Sequence, residues 1–302
     1  MIKKILRRIL NRFFLRYFDD IKIQKGKIFE IKLQKNLKKF KNLNEVYFKV
    51  FSQDYEDGII QYLLKSLEIF NVKFVEIGTQ DYSESNTRYI FETMRCDGLI
   101  IDPYPNLEKK IKSFCKIWQN NLEIHNEYIS PKNINKILKR YSFDKDIDIF
   151  SLDIDGIDYW VLKEIPGTSK IFIIEYNPYF GSKSKISAPN IEKFDRFNYH
   201  QTGFCFGASL KLIVSLMKKK GYSFIGANRL NCNAFFLQDK LIHKIKLNLP
   251  NIKNLSKFTK VKFKVLKNKT GRLVSANDLK NQISNVNVFS VDKNKLLPFK
   301  RI

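Results

Sequence analysis

The chain has 302 residues, 44% of them hydrophobic and 14% aromatic, enough for one substantial core, which excludes a disordered or collagen-like polymer. Its net charge of +25 is unevenly placed: residues 1–44 carry 14 basic and 3 acidic side chains, residues 240–302 carry 16 and 2, and the 25 of each sign between them cancel. A neutral middle argues against a nucleic-acid groove there, and four cysteines without CxxC spacing argue against a disulfide framework or structural zinc and suit a reducing, cytoplasmic compartment.

Residues 1–18, "MIKKILRRILNRFFLRYF", predict an amphipathic helix with Ile2, Ile5, Ile9 and Phe13 on one face and Lys4, Arg8, Arg12 and Arg16 on another. No uncharged run approaches the roughly 20 residues of a spanning helix, and the pattern of a cleavable leader is missing. The helix suits either peripheral attachment to an anionic inner leaflet or docking on its own domain. The chain divides into a basic extension (1–47), a central domain (48–240) and a lysine-rich appendage (241–302).

From residue 72 short apolar runs alternate with helix-length segments, the pattern of repeated βα units on a parallel sheet. The expected strands are "VKFVEIG", "GLIIDP", "LEIHNEYI", "IDIFSLDI" and "KIFIIEYN", with helices over 84–95, 105–117, 131–141 and 157–164. A polar loop over 177–206 precedes a helix over 208–220 that stops at Gly221. "YSFIGAN" and "NAFFLQ" then lie too close for a crossover and predict an antiparallel hairpin. This is the chain order of a Rossmann-like α/β sheet of class I methyltransferase type: seven strands, mostly parallel, closed by a hairpin.

In open α/β sheets ligands bind beyond the carboxyl ends of the strands. Glu76 and Gly78 end the first strand, where a residue without Cβ admits a ligand to the backbone. Asp102 ends the second, where a carboxylate can accept from both ribose hydroxyls. Asp102 could instead cap the helix after Pro103. The loop Gly78, Thr79, Gln80, Asp81 lacks the G-x-G-x-x-G of a pyrophosphate cradle and adds a negative charge. Asp81 and Glu84 suit S-adenosylmethionine, which brings no phosphate but carries a positive sulfonium and amine.

"FSQDYEDGII", "VEIGTQDYSESNT", "LIIDPYP", "SLDIDGIDYWVLK", "IIEYNPYFG", "FGASL" and "NAFF", in this order over residues 48–240, resemble the FkbM-like class I S-adenosylmethionine-dependent methyltransferases. The resemblance implies that Glu76, Gly78 and Asp102 contact the cofactor and that Gln53, Glu56 and Asp57 help close its pocket. Asp81, Tyr82 and Asp153 join the cofactor set, although Thr79, Gln80 and Tyr82 depart from the usual glycine-rich loop. It further implies a bacterial enzyme of capsule, lipopolysaccharide or other glycan synthesis, with a sugar or glycan precursor as substrate.

In "SLDIDGIDYW", strand alternation would put Asp153 and Asp155 on one side, with Glu175 at the end of the next strand facing them. Buried carboxylates bind protons more tightly, so one of the three could serve as general base to an acceptor hydroxyl. They could instead hold Mg2+, or Asp153 and Asp158 could cap the following helix. His200, in the 177–206 loop, is a candidate auxiliary base. "NPYF" at 177–180 resembles the (D/N)PP(Y/F) motif of amino-directed nucleic-acid methyltransferases, but lacks the second proline and follows the fifth strand rather than the fourth. The favoured reading is an O-methyltransferase; its rivals are a nucleic-acid methyltransferase and a catalytically lapsed protein that binds a membrane or polyanion.

Overall fold

The computed structural model describes residues 2–260, 265–267, 273–275 and 281–301; its described side chains leave out residues 2–13, 15 and 261–280. The faces expected over residues 2–13 therefore lie outside the described residues. The chain forms two compact units, Met1–Glu127 with Lys244–Lys246, and Tyr128–His243 with Leu247–Ile302. Among the described residues no helix is long and apolar enough to cross a membrane. All four cysteines are buried, and none is in a disulfide.

The first unit runs α1 (Ile2–Asn36), α2 (Glu56–Ser66), β1 (Asn71–Ile77), α3 (Arg88–Thr93), β2 (Arg95–Ile101), α4 (Leu107–Lys112) and β3 (Asn121–His125). β1, β2 and β3 pair in parallel. The apolar ends of β1 and β2 are buried residue after residue, as expected of strands covered on both faces. Register explains one glycine: Phe74 lies opposite Gly98, and a Cβ there would come within 2.3 Å of the Phe74 ring. α1 lies on this unit through Leu33, which is buried, and Phe29, whose ring stacks on Phe48 at 5.6 Å.

The second unit contains α5 (Ile134–Arg140), β4 (Ile149–Leu152), α6 (Asp158–Glu164), β5 (Ile171–Glu175), β6 (Ile186–Ser187), α7 (Arg196–Tyr199), α8 (Leu210–Lys219), β7 (Tyr222–Ala227) and β8 (Asn233–Gln238). Four short strands follow: β9 (Val265–Lys267), β10 (Leu273–Ser275), β11 (Asn287–Ser290) and β12 (Lys295–Pro298). β4 and β5 are parallel, while β8 runs antiparallel to β5 and to β7. Ser209 caps α8 by accepting from the Leu212 amide, and Gly221 follows its end with φ +84°, a value glycine adopts without strain.

The main sheet has seven strands in the order β3-β2-β1-β4-β5-β8-β7, mostly parallel and closed by the antiparallel hairpin, as expected of a Rossmann-like class I methyltransferase fold. A separate antiparallel sheet, β12-β11-β6, lay outside the expectation. It joins residues 287–298 to the loop over 177–206, where Phe180, Phe204, Val286 and Val288 share a buried cluster and the Trp160 ring lies 4.9 Å from Phe289. Several boundaries shift: the third strand stops at His125 rather than running to residue 129, the helix expected from residue 84 begins at Arg88, the helix expected over 105–117 ends at Lys112, and the fourth strand stops at Leu152.

Gly58, in the first turn of α2, donates its amide to the Phe48 carbonyl at 3.0 Å. A Cβ there would lie 2.0 Å from the Val46 carbonyl oxygen and 2.4 Å from the Phe48 nitrogen, both backbone atoms with little room to move. Gly58→Ala should therefore cost roughly 2–3 kcal/mol of stability by overpacking, outweighing a helix-propensity gain of about 1 kcal/mol. Guanidinium unfolding checks this; an unchanged midpoint would mean that residues 46–48 do not lie against α2.

Candidate functional site

In the first unit, the loop after β1 is built around Glu76. Its buried carboxylate accepts from the Ser85 hydroxyl at 2.6 Å, the Asn86 amide at 2.9 Å, and the Thr87 amide and hydroxyl at 2.9 and 2.5 Å. Two of these are backbone donors of the residues just before α3, so Glu76 fixes the approach to that helix, which begins where the carboxylate ends its reach. Burial raises the Glu76 pKa despite these bonds, which favour the charged form.

The intervening loop is backbone-strained: Gly78 has φ +85°, Gln80 +50° and Tyr82 +63°. Two of the three are not glycine, and such outliers gather where a ligand or a switch requires them. Gly78 donates to the Ile101 carbonyl at 3.0 Å, joining the ends of β1 and β2. Asp102 completes the junction, one oxygen accepting from the Gln80 amide and the other from the Tyr104 amide, both at 2.7 Å. Asp102 thus holds the following turn, and it also reaches across to the first loop. The Thr79 amide is a further donor to it, and burial raises its pKa against those backbone bonds.

Asp81 is tied to Ser83 and to Lys110 at 3.2 Å; burial opposes ionisation, but these partners outweigh it and lower the pKa. Tyr82 is fully buried with its hydroxyl 3.0 Å from the Thr87 hydroxyl, so its side chain anchors the loop. Asp57 has one oxygen accepting from the Val50, Phe51 and Ser52 amides at 2.7–2.9 Å and from the Ser52 hydroxyl, and burial brings its pKa to about 6. Glu56 is buried and accepts from the Asp54 amide at 2.6 Å. Gln53 is exposed, its carbonyl bonded by Lys49. Asp57 and Glu56 therefore shape the turn before α2, whatever else they contact.

In the second unit, Asp153, Asp155 and Glu175 come together, with ligand oxygens within 4.8 Å of one another. The reason differs from simple alternation. β4 ends at Leu152, and the turn that follows takes Asp155 into the left-handed region at φ +54°. Asp158 closes that turn, its two oxygens accepting from the Ile154 amide at 2.9 Å and the Gly156 amide at 3.0 Å. Burial, then the charges of Asp155 and Asp158, raise Asp153 well above the usual carboxylate range, opposed by Glu175 and Arg196. Burial and the charge of Asp153 likewise raise Glu175, whose Oε2 is shielded from solvent without a hydrogen-bond partner.

Arg196 was not anticipated. Its Nη1 lies 2.5 Å from Asp155 Oδ1, and its guanidinium sits 5.0 and 5.2 Å from the Phe197 and Phe206 ring centroids. The three carboxylates are donors of the type a hard divalent cation prefers, but Arg196 already brings positive charge onto Asp155. His200 is engaged by Thr202 at 2.7 Å, and burial lowers its pKa. Asn177 is fully buried, its amide donating to the Phe204 and Phe206 carbonyls and its oxygen accepting from Tyr179. The "NPYF" stretch thus fastens the 177–206 loop.

No protein-family model matches the chain, and no curated protein matches it in sequence. Similar solved structures include the N-terminal domain of EvdMO1 with SAH bound, at 9% identity and TM-score 0.41, covering 71% of this chain and 96% of that one. M. capricolum TrmK with S-adenosylhomocysteine is 14% identical at TM-score 0.32, with 58% and 65% covered. The pyocyanin biosynthetic protein PhzM is 12% identical at TM-score 0.32, with 60% and 56% covered.

Burial brings the pKa of Asp158 to about 6 from 3.8. Because the folded value is the higher, the folded chain keeps a proton that the unfolded chain releases between about pH 4 and 6. Stability from this group therefore falls as pH rises through that window, by an amount on the order of 3 kcal/mol, and is level above it. Asp158→Asn should flatten that part of the profile in thermal melts from pH 4 to 7; an equally steep decline would assign it to other groups.

Proposed function

We propose that the chain is an S-adenosylmethionine-dependent methyltransferase that methylates an oxygen of a sugar or glycan precursor. The observation that carries this reading is the junction at the ends of β1 and β2, where Gly78, in a positive-φ turn, is bonded to Ile101 and the Asp102 carboxylate reaches the same loop. A carboxylate at the strand end beside a Cβ-free backbone suits a ribose diol. The ionised Asp81 disfavours a pyrophosphate and suits a cationic methionine portion. Residues 48–240 would form the catalytic domain, flanked by the basic segments 1–47 and 241–302.

When bound, the cofactor supplies an electrophilic methyl group, whose carbon–sulfur bond breaks as the carbon–oxygen bond forms. Asp102 and Gly78 hold its nucleoside. Asp153, whose proton affinity burial and the charges of Asp155 and Asp158 raise, would receive the acceptor hydroxyl's proton, with Glu175 bonded beside it. Asp155, held by Arg196, orients the acceptor. No step requires a metal. The commitment of the Asn177 amide to two carbonyls favours a hydroxyl acceptor over a nucleobase amine.

Isothermal titration of the chain with S-adenosylmethionine, alongside transfer of labelled methyl to surface-glycan precursors, tests the proposal. Asp102→Ala should weaken cofactor binding by roughly 10- to 100-fold. Asp153→Asn should leave binding intact while lowering turnover by about 10²–10⁴. Absence of binding heat with the unaltered chain would overturn the reading, and equal loss of binding and turnover in Asp153→Asn would remove its role as base.

A further inference from the structure

We propose that the outward face of α1 docks on an anionic lipid bilayer. The inward face is fixed by Asp19, Gly26, Glu30 and Leu33. Asp19 lies 2.5 Å from Arg88, Glu30 accepts from the Tyr89 hydroxyl at 2.5 Å and pairs with Lys65 at 3.3 Å, and Leu33 is buried. Gly26 sits so close to Tyr89 that a Cβ would lie 2.6 Å from its hydroxyl. These contacts settle the rotation of the helix about its axis.

The opposite face carries Tyr17, Phe18, Ile21, Ile28 and Ile31, each between 47% and 68% exposed. At 3.6 residues per turn they fall within an arc of about 140°. Single exposed apolar side chains need no explanation, but five aligned over about four turns form a surface that requires a partner. Lys25, Lys32 and Lys35 lie in the same arc and are exposed. The nearby acids are turned elsewhere: Asp19 and Glu30 serve the inward face, and Asp20, at the edge of the arc, pairs with Lys116 at 3.7 Å.

Charge chooses the occupant. A second copy would set the same lysines against one another with no acid on either face to receive them. Anionic headgroups supply that charge while the aromatic and isoleucine side chains enter the acyl boundary, the arrangement of an interfacial helix. This surface begins where the face expected over residues 2–13 ends.

The test is co-sedimentation of the full chain with vesicles of phosphatidylglycerol and phosphatidylcholine, against phosphatidylcholine alone. It reads lipid binding only, and so fails or succeeds separately from methyl transfer. The chain should bind the anionic vesicles and release as salt rises. Ile21→Asp with Ile28→Asp, and separately Lys25→Glu with Lys32→Glu, should each reduce partitioning about tenfold or more, with thermal melts unchanged because these side chains are exposed. Variants that bind like the unaltered chain would place the contact elsewhere in the sequence and overturn the proposal. So would absence of binding to anionic vesicles, or a dimer in sedimentation velocity that the isoleucine variants dissociate.

Discussion

The carboxylate of Glu76, shut away from water at the end of β1, gathers the Ser85 hydroxyl, the Asn86 amide and both donors of Thr87, and this sets the path of the whole loop from Gly78 to α3. Similar chemistry recurs twice. Asp57 gathers the amides of residues 50–52 before α2, and Asp158 gathers those of Ile154 and Gly156 after β4. Hydrogen bonds to a charged acceptor contribute about 1.5–3 kcal/mol each, yet burial leaves all three acids with raised proton affinity. Geometry at these turns is held at an electrostatic cost, and each holds a turn carrying residues of the proposed site.

Of the polar residues at the strand ends, those that hold turns and those free to act chemically separate by their partners. Glu76, Asp57 and Asp158 have backbone donors close around them. Asp57 Oδ1 and Glu175 Oε2 both lack a hydrogen-bond partner, but Glu175 and Asp153 differ in facing other acids, and Asp153 also meets one arginine. A group whose lone pairs are filled by fixed amides has little reason to move a proton, whereas one facing like charge gains from accepting it. On that basis the proposed base lies in the second unit, and the proposed cofactor cradle in the first.

Much of this architecture is legible in the residues. "VKFVEIG" and "GLIIDP" read as buried parallel strands because both faces are apolar, and their acidic or glycine ends mark where apolar pattern gives way to chemistry. The start of α3 was not legible, because the amides of Asn86 and Thr87, just before it, are taken by Glu76, ten and eleven residues earlier, and no local pattern encodes that. Asp153 and Asp155 were paired correctly on strand alternation that ends before either residue; the left-handed turn at Asp155 has no signature in the letters. Arg196 escaped notice because its partner is 41 positions away. The amphipathic pattern expected over residues 1–18 does not mark the outward face as far as Ile31, because Lys25, Lys32 and Lys35 interrupt its apolar spacing in the letters.

The pairing of β6 with β11 bears on the order in which the molecule is made. Ile186 and Ser187 find their ladder partners in Ser290 and Phe289, a hundred residues further on. Chains emerge from the ribosome amino end first, and contacts distant in sequence close late. The strands β4 and β5, with α6 between them, can assemble while translation continues. The β6 part of the segment over 177–206 must wait for residues 289 and 290 to appear, so the arginine-bearing flank completes its ladder later than β4 and β5 do.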